Sequence, residues 1–472
     1  MLCKADTIGV FQIESRAQMN MLPRLRPQTF YDLVIQIAII RPGPIQGGMV
    51  HPFLRRRQGL ESITYANAGL EAVLGRTLGV PIFQEQVIQL AMVAAGFSGG
   101  EADQLRRAIT SWGRNGHLDL FRDKLINGML ERGYSIDFAD RLFNQLRGFG
   151  AYGFPESHSA SFALLAYASS WIKCNHPGAF YCGLLNSQPM GFYAPAQLVQ
   201  DARRHGVEIL PVCINHSQWD HCLMTPHVLR LGFRLLKGMH RKSAERLVTV
   251  RADRSFSSMA DFIQRTHINR QEQNCLVRSD AFQCFNSHRY QSQWQISAVE
   301  ESRPLFNVES DAVLDDHIVL AAPKEHEEIQ WDYSYTGLTL RRHPMALLRE
   351  NQLLHRCTRA TDLATIEHGH IVHIAGLVTC RQRPGTATGV LFITLEDETG
   401  YCNVIVWKNQ QQHYNQEIIN SRILSIKGKL QRTEQIAGLD PQQQTPVVHI
   451  VAGFIKDISH LMPLNTSSHD FH

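Results

Sequence analysis

The chain has 472 residues, 44% hydrophobic and 19% charged, enough for roughly three cored domains of about 150 residues each and unlike a disordered or fibrous protein. A net charge of +4 excludes a uniform polycation, although the charge is uneven along the chain. No apolar run reaches about 18 residues, no signal-peptide succession opens the chain, and the ten cysteines contain no CxxC pair. Together these features predict a reduced, cytoplasmic protein with no membrane partner, no disulfide frame and no zinc site.

Residues 1–180 read as helical, with turns at 41–48, 78–80 and 148–159. Across residues 16–57 the bases Arg16, Arg24, Arg26, Arg41, Arg55, Arg56 and Arg57 face a single acid, Asp32. Such a stretch either meets phosphates or forms a solvated basic face. In "FQEQVIQLAMVAAGF", Val87, Leu90, Ala91 and Ala94 share one helical face. In "FSGGEADQLRRAI", Ser98 and Glu101 form a capping-box pattern that predicts a helix from about Gly99. Leu105, Ala108 and Ile109 then turn inward, and Arg106 and Arg107 flank them. Two roles are open for these arginines: an anion site, or an exposed pair with Asp103. In "SASFALLAYASSWIK", apolar residues cover nearly the whole circumference, which predicts a helix buried on most sides.

A connecting helical segment is expected over 181–228 and a second helical unit over 229–290. There "LKGMHRKSAERL" resembles a helix-hairpin-helix, whose glycine turn aims backbone amides at a DNA phosphate. Lys237, Gly238, Arg241 and Lys242 are its candidate DNA contacts, with an ordinary helical hairpin as the alternative. His240 stands where such turns usually place a second glycine, so a distorted turn is expected. Residues 291–367 lack periodicity, carry the acidic runs "VESDAVLDDH" and "KEHEEIQWD", and read as a linker with short helices.

Over 368–458 the period becomes alternating, and five strands are predicted at 372–380, 389–397, 402–407, 422–430 and 447–455, followed by a tail over 459–472. Five strands in this span suit an OB-type barrel that binds single-stranded nucleic acid. Its candidate contacts are Arg381, Arg383, Phe392, Trp407, Lys427 and Lys429, with Phe392 and Trp407 serving either as base platforms or as barrel core. The predicted fold is therefore multidomain, mainly α, followed by an all-β OB-type barrel.

Other chemistry finds little footing. His368, His370 and His373 lack neighbouring carboxylate or cysteine ligands, and His158 fits a packing role at a helix start. No Walker loop, GxGxxG or serine elbow occurs. There is no D-x-D pair, and Asp315 and Asp316 fall in the linker, so no catalytic residue and no metal ligand is assigned.

In order along the chain, "DTIGVFQIES", "RPGPIQGGMV", "FQEQVIQLA", "ADQLRRAI" and "GAYGFPESHSASFALLAY", then the barrel, are similar to the C-family bacterial DNA polymerases, the alpha-subunit type of DNA polymerase III. The resemblance covers essentially the whole chain. "LLNSQPMGFYAPAQLVQDARRHGVEILP" and the ending "HDFH" look like the error-prone, damage-tolerant branch. It implies fingers over 1–180, with Arg106 and Arg107 on the triphosphate of the incoming deoxynucleoside triphosphate. It implies primer-template DNA as partner, magnesium ions (Mg2+) as cofactor, and contact with other translesion-synthesis proteins and, indirectly, the sliding clamp. "TSWGRNG" stands where replicative relatives carry lysines, which is expected to thin the field around the nucleotide. The family's catalytic carboxylates precede the "DTIGVFQIES" motif, so the resemblance implies a C-terminal portion that is inactive alone. The alternatives are a DNA-binding module without nucleotidyl transfer, or part of a replicative alpha subunit.

Overall fold

The structure, a computed structural model, describes residues 1–110, 118–148, 154–191, 193–298, 318–383, 389–432, 448–464 and 469–471. It divides into two units, Met1–Asn175 and His176–His472. Residues 111–116 of "TSWGRNG" and the adjacent acids Asp315 and Asp316 lie outside the described residues.

The first unit is helical: α1 (Arg16–Leu25), α2 (Phe30–Ile39), α3 (Pro42–Gln46), α4 (Val50–Arg57), α5 (Ala68–Leu74), α6 (Gln84–Ala95), α7 (Gly99–Thr110), α8 (Leu118–Glu131), α9 (Ile136–Gly148) and α10 (Glu156–Asn175). Helix α2 begins where Thr29 and Asp32 cap one another, the Asp32 carboxylate accepting from the amides of Gln28 and Thr29 at 2.8 and 2.9 Å. The same carboxylate accepts from Arg57 Nη2 at 2.8 Å. Arg56 donates to Glu61 and to the Leu78 carbonyl, both at 2.9 Å. Much of the basic stretch is thus engaged in holding the helices together. Residues 41–48, expected as a turn, wind into α3, because a proline suits the first helical position. On α6, Val87, Leu90, Ala91 and Ala94 are all buried, as their spacing predicts.

Helix α10 corrects an expectation. It buries Ser159, Ala163, Ala166, Ser170 and Lys173, while Leu164, Leu165, Tyr167 and Trp171 are each at least half exposed. Small side chains let α10 approach α2 closely, and Ser159 Oγ donates to the Val34 carbonyl at 2.6 Å. The large apolar residues are left on the outer face. His158 packs on Phe154 and Phe162, with ring centroids 5.1 and 4.2 Å away.

At the end of α10 the fully buried Lys173 donates from Nζ to Asp6 Oδ1 at 3.0 Å and to the Ile8 carbonyl at 3.1 Å, tying the first loop to the helix. Burial pushes nearby Glu14 up to about 7, against the opposing pull of the Gly9 amide and Lys173. A carboxyl raised in the folded state favours folding fully below its unfolded value of about 4.5 and loses that contribution as pH rises through 7. We expect this unit to lose on the order of 1 kcal/mol of stability between pH 5 and 8 from Glu14 alone. Urea melts should show that Glu14→Gln flattens this slope; an unchanged slope would contradict the assignment.

The second unit opens with α11 (Pro177–Asn186) and α12 (Pro195–Arg204). Within the segment expected to be helical, β1 (Glu208–Leu210), β2 (Cys222–Thr225) and β3 (Val228–Arg230) pair in the order β1-β3-β2. Strands of three or four residues are too short to show a period in sequence. A helical layer follows: α13 (Arg241–Asp253), α14 (Met259–Thr266), α15 (Arg270–Arg278), α16 (Arg289–Ala298), then α17 (Glu325–Tyr335) and α18 (Pro344–Glu350).

The barrel strands are β4 (Ile371–Gln382), β5 (Leu391–Glu396), β6 (Tyr401–Val406), β7 (Ile423–Arg432) and β8 (Val448–Asp457), in the order β5-β6-β8-β7-β4 and closed by β4 against β5. Five strands stand where alternation places them. The inward set includes Ile374, Ile393, Val404, Ile426 and Ile450, and Ile418 from α20 (Asn415–Asn420), which follows α19 (Lys408–His413), closes one end. Strand β9 (His469–Phe471) adds to β4 in parallel.

Helix α17 joins the helical layer to the barrel. Ile329 and Tyr333 pack with Met345, Ala375, Leu377 and Ile423. On its other face Glu328 and Asp332 meet Arg289, whose side chain is 2% exposed. Arg289 Nε lies 2.9 Å from Glu328, and its Nη2 bonds Asp332; Arg341 bonds Asp280 at 2.9 Å and also Glu328. Two arginines thus serve three buried carboxylates. Removing Arg289 leaves the acids under-compensated, so Arg289→Met should cost about 3–5 kcal/mol. Denaturant unfolding of the full chain checks this, and a loss below about 1 kcal/mol would remove the cluster from the account.

Candidate nucleotide and nucleic-acid interfaces

The sequence predicts an arginine pair on a capped helix, and the structure supplies both. Ser98 and Glu101 cap α7 reciprocally, the Glu101 carboxylate accepting from the Ser98 amide at 2.9 Å and the Ser98 hydroxyl from the Glu101 amide at 3.4 Å. Lys124 pairs with Glu101, and that bond, with those from Ser98, holds the carboxyl down to about 2. One residue governs both arginines. Asp103 accepts from Arg106 Nε through Oδ1 and from Arg107 Nη2 through Oδ2, each at 2.8 Å. Hydrogen bonding from Arg106, aided by Arg107, keeps the Asp103 carboxyl below its ordinary range.

The two guanidiniums differ in freedom. Turned with its oxygen toward Arg106, the Gln84 amide accepts from Nη1 at 2.7 Å and from Nε at 3.2 Å. The Arg107 side chain is 73% exposed. The exposed pair and the anion site are therefore not exclusive, since Asp103 fixes both guanidiniums on one face in the absence of an anion.

Sequence reasoning missed the support beneath them. Gln86 is buried, accepting from the amides of Ile82 and Phe83 at 2.8 and 3.1 Å and donating to the Val73 carbonyl and Thr77 Oγ1 at 3.1 and 2.9 Å. Glu85 accepts from the Glu156 amide at 2.9 Å, and the Gln84 amide donates to the Phe154 carbonyl at 3.1 Å. "FQEQ" thus anchors the loop ahead of α10 and presents Gln84 to Arg106. Three polar residues at a helix start were the available signal.

In the second unit, Lys237, Gly238, Arg241 and Lys242 lie together, all exposed, at the turn leading into α13. Gly238 takes φ +98°, which only glycine adopts easily. His240 sits at φ −90°, comfortable for any residue, so the missing second glycine does not distort the turn. The element before the turn is a single 3-10 turn, Phe233–Leu235. The His240 amide donates to buried Glu272 at 3.2 Å, and the Lys237 amide to the Tyr335 carbonyl at 2.9 Å. Arg241 pairs with Glu245 at 2.7 Å.

On the barrel, Lys427 and Lys429 are exposed on β7, and Trp407 is 53% exposed, which places it on the surface rather than in the core; Phe392 is half-buried. Phe454, 46% exposed, lies opposite Lys427 and was missed because a bulge between Lys427 and Gly428 reverses the alternation of β8. Arg383 donates to Gln411 at 3.0 Å beside Lys408 in a cavity of about 580 Å³. Arg381 departs from its expected place: it is buried, donating from Nε to the Ile418 carbonyl and from Nη2 to the Ser421 carbonyl. It sits at the β4 bulge between Val378 and Cys380, where the alternation is interrupted.

The three histidines tested for metal binding have separate partners: His373 with Ser425 at 2.7 Å, His368 with the Arg432 carbonyl at 3.2 Å and His370 with Glu367 at 3.8 Å. Among the described residues, neither unit by itself gathers three carboxylate, histidine or cysteine ligands at metal-binding spacing. No described helix is long and apolar enough to cross a membrane.

Residues 1–133 match the bacterial DNA polymerase III alpha subunit finger domain, 206–292 a helix-hairpin-helix motif, and 372–456 an OB-fold nucleic acid binding domain. The chain is 54% identical over its whole length to an error-prone DNA polymerase of Teredinibacter turnerae, covering 46% of it. It is 52% identical to that of Saccharophagus degradans, again over the whole chain and 46% of the relative. Over 97% of its length it is 54% identical to that of Idiomarina loihiensis, of which it covers 43%. The chain therefore spans about half the length of the curated relatives it matches.

Asp103, bonded to both arginines at 2.8 Å, opposes by like charge any anion that they bind. Asp103→Asn should tighten tripolyphosphate binding by roughly threefold to tenfold, as like-charge opposition is removed at close range. Calorimetric titration tests this, and weaker binding would mean that Asp103 chiefly positions the pair.

Proposed function

We propose that this chain is the fingers, helix-hairpin-helix and OB-barrel portion of an error-prone DNA polymerase, a DNA-directed nucleotidyltransferase of the bacterial C family acting in translesion synthesis. One observation carries the reading: Arg106 and Arg107 stand side by side on a capped helix, within the residues that match the finger domain. Planar guanidiniums grip phosphate oxygens bidentately, and their charge offsets what develops as pyrophosphate leaves. Arg107, the more exposed of the two, receives the triphosphate first, and Arg106, braced by Gln84 and Asp103, sets its position.

The other two interfaces hold the nucleic acid. The turn at Lys237 and Gly238, with Lys242, suits the backbone of a primer-template duplex, since exposed lysines neutralise phosphate without reading sequence. The barrel face of Lys427, Lys429 and Phe454, with Trp407, suits unpaired template, where cations follow the backbone and aromatics stack on bases. Divalent ions, magnesium on this reading, activate the primer 3′-hydroxyl in phosphoryl transfer. The described residues of neither unit fit such a centre, and no metal-dependent step is assigned to them. The whole protein's substrates are primer-template DNA and deoxynucleoside triphosphates. Its partners are other translesion-synthesis proteins and, through them, the sliding clamp, in the cytoplasm.

The test uses the full chain on a labelled primer-template with and without the next complementary nucleotide. We expect the nucleotide to prolong the complex roughly tenfold, Arg106→Ala with Arg107→Ala to abolish that gain, and magnesium to yield no extended primer. Equal lifetimes with and without nucleotide would favour a DNA-binding module without nucleotidyl transfer.

A further inference from the structure

Beneath the hairpin region lies a pair of thiols that the DNA interfaces do not use. Cys213 opens one helical turn, its carbonyl accepting from the amides of His216 and Ser217 at 3.1 and 2.8 Å. That turn brings His216 Nδ1 to 3.3 Å from Cys213 Sγ. Buried Arg251 donates to the Ile214 and Ser217 carbonyls, which brings a guanidinium near the sulfur. The neighbouring segment is held in register where the Ile214 amide donates to the Ala281 carbonyl at 3.1 Å. Asn215 Nδ2 reaches Cys284 Sγ at 3.8 Å, and the two thiols are hydrogen-bonded to one another.

The chemistry of the pair is asymmetric. The bond from Cys284, and then that from His216, outweigh burial and hold the Cys213 thiol below its ordinary value. Cys284, exposed to solvent, is pushed above its ordinary value by the same bond. Elsewhere burial raises Cys182, Cys222, Cys275 and Cys357, which disfavours their thiolates.

We infer that Cys213 and Cys284 are a reversible oxidation site, closed to a disulfide by a hydroperoxide and opened by a dithiol. The Cys213 thiolate attacks the terminal peroxide oxygen; the O–O bond breaks, the alkoxide or hydroxide leaves with a proton, and Cys213 becomes a sulfenic acid. The Cys284 sulfur then attacks the Cys213 sulfur, the S–O bond breaks, and hydroxide leaves as water with the Cys284 proton. Two thiols are oxidised by two electrons and the peroxide is reduced by two. The bond closes a loop of about 70 residues across the hairpin region.

The experiment treats the folded full chain with hydrogen peroxide at pH 7, quenches, alkylates after denaturation and maps peptides by mass spectrometry. The expected product is a Cys213–Cys284 cross-linked peptide about 2 Da lighter than its two thiol peptides, reversed by dithiothreitol and formed at least about tenfold faster than any Cys182–Cys222 link. In Cys284→Ser, a 1,3-dicarbonyl probe should label Cys213, and His216→Gln should slow closure at pH 7 but not at pH 9. The unsubstituted chain gives an independent reading, the alkylation of Cys213 against pH. A midpoint in the ordinary free-cysteine range overturns the inference, as does oxidation that spares Cys213 while other cysteines react.

Discussion

The second unit depends on one buried charge cluster. Arg289 and Arg341 face Asp280, Glu328 and Asp332, and these residues come from three stretches of chain that nothing in the local sequence obliges to meet. Burying four charges beside a partly exposed fifth is expensive in desolvation, and an apolar cluster of similar volume would hold the same elements together as well or better. What ionic contacts add is direction: Asp332 accepts from Arg289 and from Thr339 Oγ1, so α17 has little freedom to rotate. Its neighbouring face, Ile329 and Tyr333, is seated on the barrel. At its end the Tyr335 carbonyl takes the Lys237 amide. The hairpin turn and the barrel face are therefore set relative to each other by the rotation of a single helix.

That arrangement explains what could and could not be read from the sequence. The five barrel strands were legible because each has one wet and one dry face, and alternation survives in such strands. Helix α17 was hidden as "KEHEEIQWD", an acidic run in a linker, because it buries two adjacent faces of different chemistry. An amphipathic signal requires one dry face, and here the charged residues are buried too. Helix α10 failed for the converse reason. Its apolar residues pointed to burial, yet its small residues make the contact and its large ones remain outside.

The site divides along the same line. Arg106 and Arg107 were legible from a capping box and helical spacing, both of which are local. Gln84 and Gln86 were not, since their work is done across the gap between helices. Phe454 and Arg381 were misplaced by β-bulges, and a bulge leaves no mark in composition. Local rules therefore found the paired arginines, and missed the residues that hold them.

The distribution of cations carries the functional argument furthest. Arginine is directional, its five donors in a fixed plane, whereas lysine is a mobile point charge. In this chain many arginines are committed to geometry: Arg57 to a cap, Arg56 to a carbonyl, Arg289 and Arg341 to buried acids, Arg381 to the closure of the barrel. The exposed cations at the hairpin turn and on β7 include Lys237, Lys242, Lys427 and Lys429. A surface of lysines neutralises phosphates without demanding a particular backbone path, which on the proposed function suits a template whose geometry a lesion has altered. At the triphosphate site proposed above the chain instead sets two arginines on one carboxylate, so that planar, directional donors stand side by side. On the proposed function, tolerance for the template and strictness for the leaving group fall to different side chains on different elements.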